Sequence, residues 1–228
     1  KLPNRFLVPP PAIQETLGEW LSKSGVAQFA CSETQKFGHV TYFWNGNRSN
    51  KFEGETWKEV PSDIVPFEQR LWMKSAEIAD AMIEALESGK YRFLRCNFAN
   101  GDMVGHTGSF RAATMAVEAV DLALSRLLPV VQKQRGVLLI TADHGNADEM
   151  FEVDKKSKQP KQNSDGSYKA KTAHTLNQVP CWLVDYATEG KLKLGTGEYG
   201  LSNIASTVVE LLGYAPHTAW DESMLVVK

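Results

Sequence analysis

Val137-Leu-Leu-Ile-Thr-Ala-Asp-His-Gly-Asn-Ala-Asp-Glu-Met150 is the stretch that decides the fold. Its first half, residues 137–140, is a short apolar run with a glycine before it and a polar turn behind it, which predicts a buried strand of an α/β sheet. Asp143 and His144 follow at the C-terminal end of this strand, where open α/β sheets place their binding sites. The pair could serve two metal ions or hold one ion from two sides. The alternative is an aspartate that caps the next helix beside a solvated histidine.

Helical and strand-like segments alternate around this stretch. Apolar residues at helical spacing predict helices over residues 12–23, within 68–89, over 109–135 and over 201–212, the last capped by Ser202. Short apolar or aromatic runs predict strands over 26–31, 91–98 and 179–185, and a strand or a tight segment over 40–44. The segment 154–171 is rich in lysine and almost free of apolar residues, which indicates a solvated surface loop whose placement the sequence leaves open.

The bulk composition narrows the class of protein. The 228 residues, 43% hydrophobic and 23% charged, suit one globular domain with a core. A net charge of −2 gives no electrostatic reason to expect binding to nucleic acid or an anionic membrane. Three separated cysteines indicate free thiols of a reducing compartment, and no apolar run approaches the ~18 residues of a membrane span. The N-terminus shows no signal peptide, so a cytoplasmic protein is expected.

Two further clusters carry metal-ligand side chains. Asp102 and His106 lie four residues apart in a glycine-rich loop that follows the predicted strand 91–98. Asp and His at this spacing can converge on one metal if the segment forms a helical turn or a compact loop, although many helices contain the spacing by chance. His174 precedes the predicted strand 179–185. Three strand ends therefore carry ligands.

Lys36 stands alone in a polar segment just past a predicted strand end. It could bind a phosphate group as a point charge. A solvated surface lysine is the simpler interpretation at this stage. His39, just before the segment 40–44, is interpreted as structural.

The combined set is Asp102, His106, Asp143, His144 and His174. Imidazole and carboxylate without thiolate suit Mn²⁺, Co²⁺, Fe²⁺ or Zn²⁺ better than Ca²⁺ or a structural zinc. Five ligands are more than one open catalytic ion needs, and too few for two ions with three protein ligands each. The pattern predicts a two-metal site of which this chain carries a part.

Three motifs resemble the metal-binding motifs of the cofactor-independent phosphoglycerate mutase family. They are Gly-Asp-Met-Val-Gly-His-Thr-Gly (101–108), Thr-Ala-Asp-His-Gly-Asn-Ala-Asp-Glu-Met (141–150) and Thr-Ala-His-Thr (172–175). Residues 33–46 resemble the family's segment with a phosphate-binding lysine. The resemblance implies a fold of the alkaline phosphatase type, with a mostly parallel sheet and helices on both faces.

The resemblance also implies roles for individual residues. Asp102, His106 and His174 would bind the first metal, Asp143 and His144 the second, and Lys36 would reach the substrate phosphoryl group. The two ions would be Mn²⁺ or Co²⁺. The implied activity is an isomerase of glycolysis and gluconeogenesis that interconverts 3-phosphoglycerate and 2-phosphoglycerate through a phosphoserine. The alternatives are a metal-dependent phosphatase or phosphodiesterase of the same superfamily, since fold and metals alone do not choose the acceptor, and a non-catalytic module that keeps a metal site.

The sequence also departs from the family pattern. The family's N-terminal Asp-Gly motif, its Asn-Ser-Glu-Val-Gly-His motif with the nucleophilic serine, and its arginine-rich inserted domain have no counterpart in these residues. Residues 1–228 are therefore expected to be the C-terminal portion of the metal-binding, phosphatase-like domain, with the serine outside this chain. The full-length protein is expected to be a monomer that acts on a small-molecule substrate.

Overall fold

The chain alternates between helices and strands. The structure is a computed structural model that describes residues 7, 8, 11 and 13–227. In chain order the elements are α1 (Leu17–Lys23), β1 (Gln28–Glu33), α2 (Thr34–Gly38), a π-helical turn (His39–Phe43), β2 (Glu55–Val60), a 3-10 turn (Phe67–Gln69), α3 (Ser75–Glu87), β3 (Phe93–Asn97), α4 (Asn100–Gly105), α5 (Phe110–Lys133), β4 (Val137–Thr141), β5 (Cys181–Asp185), β6 (Leu192–Leu194), α6 (Asn203–Leu211) and β7 (Leu225–Val227). No helix in these described residues is long and apolar enough to cross a membrane.

Three parallel strands, in the order β2-β1-β3, form the main sheet. Gln28 of β1 lies opposite Glu55 of β2 and Phe93 of β3. All six residues of β1 are buried, as expected for a central strand that is covered on both faces. Parallel strands bring their C-terminal ends to one edge, so the segments that follow β1 and β3 start close together.

Helices cover both faces of this sheet, because alternate residues of a strand point to opposite sides. On one face Phe29 and Cys31 of β1 pack in a buried cluster with residues of α3 and α5. On the other face the Nε2 atom of Gln28 donates a hydrogen bond of 2.9 Å to the carbonyl of Gly18 in α1. Helix α1 packs in turn against Val208 and Val209 of α6. The predicted α/β fold with a parallel sheet and helices on both faces is confirmed.

Two further strand pairs are antiparallel, β4 with β5 and β6 with β7. The predicted strand at residues 137–140 is present as β4, but the expectation that it is buried is wrong, because Val137 to Ile140 are half-buried and Thr141 is exposed. Leu139 packs in the cluster of α1 and α6. Among the described strands β4 pairs only with β5, so one of its edges lacks a strand neighbour. A short apolar run fits this half-covered setting as well as a buried one.

Of the two alternatives for residues 40–44, a strand or a tight segment, the strand is wrong. Helix α2 and the π-helical turn His39–Phe43 occupy this part of the chain. One local and one long-range hydrogen bond hold the segment in this form, against the β propensity of its aromatic and branched residues. Thr41 donates its hydroxyl to the carbonyl of Phe37 at 2.6 Å, and the carbonyl of Val40 accepts the Nε–H of Arg95 at 2.9 Å.

The other predicted helices and strands are present with shifted ends. Helix α1 begins at Leu17 and not at residue 12, because Thr16 caps it by accepting the N–H of Glu19 and Glu15 has a φ of 55°. Ala12 lies outside the described residues. Ser202 precedes α6 as predicted but its side chain makes no capping hydrogen bond. Asn203 Oδ1 instead accepts the N–H of Gly200 at 2.8 Å.

The lysine-rich segment 154–171 is exposed over most of its length, and its backbone is hydrogen-bonded. Glu152 N–H donates to the carbonyl of Lys169 at 2.9 Å, and Lys161 N–H donates to the carbonyl of Glu152 at 2.8 Å. The side chains of Lys161 and Lys169 also pair with the Glu152 carboxylate. These contacts fold the segment back against residues 150–154. Thr172 follows directly after it.

A buried ion pair holds the three strands in register. Arg95 of β3 donates to Glu55 Oε1 of β2 at 2.8 Å and to Gln28 Oε1 of β1 at 3.3 Å. The other oxygen of Glu55 accepts from Asn45 Nδ2 at 2.7 Å and from the N–H of Phe52 at 2.9 Å. Removal of one partner would leave the other charge buried and unpaired.

We therefore expect Glu55→Ala to lower the free energy of unfolding by about 3–5 kcal/mol, measured by urea denaturation. Glu59→Ala is the matched control, because Glu59 lies exposed on the same strand. The control should change the free energy by less than about 0.5 kcal/mol. Equal effects of the two substitutions would contradict the role assigned to the buried pair.

Candidate metal centre

The carboxylate of Asp102 lies at the centre of a cluster of imidazoles. Asp102 is the third residue of α4, which starts three residues after β3 ends. The N–H of His106 donates to the carbonyl of Asp102 at 3.0 Å, so one helical turn brings both side chains to the same side. His106 Nε2 lies 3.1 Å from Asp102 Oδ1. The sequence spacing of four residues thus corresponds to a helical turn.

His174 comes from the segment that follows the lysine-rich loop. Its Nε2 atom lies 2.9 Å from Asp102 Oδ1. The N–H of Thr175 donates to the carbonyl of Gly145 at 2.8 Å, which fixes this segment against the end of β4. A Cβ atom at Gly145 would lie 2.1 Å from Thr175 Oγ1, so only glycine allows this approach.

Three ligand-type atoms form a nearly regular triangle. The two histidine Nε2 atoms are 3.1 Å apart, and they lie 3.1 Å and 2.9 Å from Asp102 Oδ1. First-row ions bind nitrogen and oxygen at about 2.0–2.2 Å, and ligands roughly at right angles around such an ion are about 3 Å apart. The triangle therefore has the size that a divalent ion requires.

The tautomer of His106 also fits a metal ligand. Its Nδ1 atom lies 2.6 Å from the carbonyl oxygen of Thr172. A carbonyl can only accept a hydrogen bond, so Nδ1 carries a hydrogen, and in the neutral imidazole Nε2 then keeps its lone pair for a metal ion. An imidazole that donates through its other nitrogen to a carbonyl is the usual arrangement of a histidine that binds metal.

Asp143 and His144 lie beside this triangle, just after β4. The ring of His144 stacks on the ring of His174 with centroids 3.7 Å apart and planes 23° apart. The Nε2 atom of His144 is 3.7 Å from Asp143 Oδ2. The structure thus brings all five predicted ligand residues to one place. Within the described chain, one cluster has three potential ligand atoms close together, from Asp102, His106 and His174. Asp143 and His144 form a separate pair beside it.

Lys36 is buried and not a solvated surface lysine. It lies in α2, directly after β1, and its side chain is 6% exposed. Its ammonium group forms an ion pair with Asp102 Oδ2. Burial by itself would raise the pKa of Asp102, but hydrogen bonds from Lys36 and Asn146 outweigh it and lower this pKa to about 2. Asp102 therefore stays ionised at every physiological pH.

Residues that the sequence analysis did not single out form hydrogen bonds to the candidate ligands and to the segments that carry them. Asn146 Nδ2 donates to Asp102 Oδ1 at 2.7 Å. Asp148 Oδ2 accepts from the hydroxyl of Thr175 at 2.9 Å and from Asn177 Nδ2 at 2.6 Å. Asn146 and Asp148 lie two and four residues after His144, so nearness to the ligand motif was the one signal available.

Comparison with known proteins relates the whole chain to a family. Residues 4–216 match the family described as the metalloenzyme superfamily. The 2,3-bisphosphoglycerate-independent phosphoglycerate mutase of Trypanosoma brucei brucei is 47% identical over 99% of this chain, which covers 42% of that protein. The corresponding enzyme 1 of Arabidopsis thaliana is 42% identical over 100% of this chain, again 42% of its own length.

A solved structure is also similar. The Leishmania mexicana phosphoglycerate mutase at low cobalt concentration superposes with a TM-score of 0.95 and 47% identity, over 99% of this chain and 42% of that one. The fold expected from the resemblance is thereby confirmed. The chain spans about two fifths of the length of the relatives that it matches.

The ion pair of Lys36 with Asp102 leads to a test in the metal-free chain. Lys36→Met removes the nearest cation, while burial and the hydrogen bond from Asn146 remain, so the pKa of Asp102 should rise from about 2 toward the ordinary carboxyl value of about 3.9. The pKa is measured by an NMR titration of the side-chain carboxyl carbon. Lys171→Met is the control, because Lys171 pairs with Glu149 at 2.8 Å. An unchanged pKa of Asp102 in Lys36→Met would contradict this account.

Proposed function

The chain belongs to the metalloenzyme superfamily, and on that premise we propose that it is the metal-binding part of a phosphoglycerate mutase of the 2,3-bisphosphoglycerate-independent type. This enzyme is an isomerase that moves a phosphoryl group between the 3- and 2-hydroxyls of glycerate, a step of glycolysis and gluconeogenesis. The observation that carries the proposal is the triangle of Asp102, His106 and His174 with Lys36 paired to it. The 47% sequence identity to two phosphoglycerate mutases supports this reaction.

Asp102, His106 and His174 would hold the first divalent ion, and Asp143 with His144 would contribute to a second. The size of the triangle and the tautomer of His106 support the first assignment. The stack of His144 on His174 supports a second position next to the first. Mn²⁺ or Co²⁺ suits such carboxylate and imidazole ligands. When bound, these ions supply positive charge that lowers the pKa of a hydroxyl and neutralises phosphoryl oxygens.

Lys36 would contact the phosphoryl group of the substrate. Its stem is buried, and the Asp102 carboxylate holds its ammonium group at the edge of the ligand triangle. A lysine ammonium is a compact charge that offsets the negative charge of the phosphoryl oxygens during transfer. Because burial already fixes the side chain of Lys36, little conformational entropy would be lost when the substrate binds.

The remaining parts of the active site would come from polypeptide outside these 228 residues. They include the nucleophilic serine, a further aspartate for the second ion and the groups that hold glycerate. Among the described strands, β3 and β4 each have one edge without a strand neighbour, and Phe93 of β3 and Leu139 of β4 belong to one apolar cluster. A strand from the rest of the protein would fit between them. The proposal includes a monomeric, cytoplasmic full-length protein, in keeping with its three free cysteines.

The activity is tested with a full-length polypeptide and 3-phosphoglycerate in the presence of Mn²⁺. We expect formation of 2-phosphoglycerate without net release of phosphate. Release of phosphate in its place would identify a phosphatase on the same fold, which is the second candidate that the metal ligands alone allow. Activity that survives thorough removal of metal by a chelator would contradict both.

Single substitutions test the ligand assignment in the same assay. His174→Ala should lower kcat by more than the roughly 100-fold that loss of a residue supporting a ligand can cost. His217→Ala is the matched control, because His217 packs against Trp220 and lies near Glu15. The control should retain activity close to that of the wild type. Equal losses in the two variants would show that the ligand assignment is wrong.

The 228-residue chain by itself should bind one Mn²⁺ or Co²⁺ ion tightly and a second one weakly, because it supplies three ligands to one position and two to the other. Binding should weaken as the pH falls, since a protonated imidazole cannot bind metal. Isothermal titration calorimetry at several pH values measures both effects. We expect no conversion of 3-phosphoglycerate by this chain. Substantial conversion by a sample of confirmed intact mass would refute the view that the serine lies elsewhere.

A further inference from the structure

Asn146 connects the two groups of candidate ligands. Its residue is 4% exposed, and its Nδ2 atom donates to Asp102 Oδ1 at 2.7 Å and to the carbonyl of Asp102 at 3.1 Å. Both of these atoms can only accept, so the nitrogen of the amide must face Asp102. Asn146 lies two residues after His144, and its chain segment is therefore the one that carries Asp143 and His144.

The other end of the Asn146 amide is enclosed. Its Oδ1 atom is buried without a hydrogen-bond partner in the described chain. A Cβ atom at Gly105 of α4 would lie 2.5 Å from this oxygen. Burial of a carbonyl oxygen without a hydrogen-bond partner is unfavourable. In this orientation the amide nitrogen of Asn146 can donate to Asp102 at its other end. Gly105, which has no Cβ atom, leaves the space for the amide oxygen.

We propose that Asn146 is a positioning residue, whose amide fixes the Asp102 carboxylate for the first metal ion. The inference rests on the proposed function. A carboxylate oxygen has two lone pairs, and the hydrogen bond from Asn146 occupies one on Oδ1, which leaves the other for a cation between Oδ1 and the two histidines. Lys36 holds Oδ2 in the same way from the other side. Without Asn146 the carboxylate can rotate away from His106 and His174.

Metal affinity tests this role from two sides. Asn146→Ala removes the donor, and Gly105→Ala displaces the amide without changing any polar group. Each should weaken Mn²⁺ binding by the 228-residue chain by about 10–100-fold and shift the visible absorption of bound Co²⁺. Gly101→Ala is the matched control on the same helix, because a Cβ atom there meets only Val117 Cγ2 at 3.9 Å. This control should bind both ions like the wild type.

Several results would overturn the proposal. Wild-type affinity and an unchanged Co²⁺ spectrum in Asn146→Ala and Gly105→Ala would do so while leaving the metal site intact. A lower unfolding free energy of the metal-free chain as the sole effect would mean that Asn146 only packs. Equal losses of affinity in Gly101→Ala and Gly105→Ala would point to a general loosening of α4. If the wild type binds neither Mn²⁺ nor Co²⁺, the proposed function fails together with this inference.

Discussion

The whole site depends on the carboxylate of Asp102. This ionised group is largely removed from water, so it needs cations or hydrogen-bond donors around it. Lys36 supplies a charge to one oxygen, and Asn146 donates to the other. The imidazoles of His106 and His174 approach the same oxygen as Asn146 does. These partners come from α2, from the segment after β4, from α4 and from the end of the lysine-rich loop. Four separate parts of the chain are therefore held together by one side chain.

The topology explains why these parts meet. Strands β1 and β3 are parallel neighbours, so α2 with Lys36 and α4 with Asp102 start at the same edge of the sheet. Strand β4 ends next to them and delivers Asp143 and His144. The hydrogen bond from Thr175 to Gly145 then brings His174 to that point. Open α/β sheets place their sites at this edge because backbone and helix ends are free to contribute there. A ligand triangle of about 3 Å needs this rigid support, since a small shift of one segment would separate its atoms.

The sequence predicted the fold class and pointed to the candidate ligand residues that the structure brings together, but not the contacts between distant segments. Helical periodicity identified α3, α5 and α6, whereas the spacing of Asp102 and His106 left a helical turn and a compact loop open, and the structure has the helical turn. The strand considered at residues 40–44 is absent, and Arg95, more than fifty residues away, donates to Val40 in the π-helical turn that takes its place. The burial of Lys36 and the role of Asn146 also depend on partners far along the chain. Composition and local pattern carry no information on such pairings, so these features required the structure.

The central claim is that Asp102, His106 and His174 together bind a divalent cation. The most direct measurement is a crystal structure of the chain with Co²⁺, in which anomalous scattering at the cobalt edge locates the ion. The account predicts an ion at about 2.0–2.2 Å from Asp102 Oδ1 and from the Nε2 atoms of both histidines. A cobalt peak elsewhere, or none at saturating Co²⁺ while these three side chains are ordered, would contradict it.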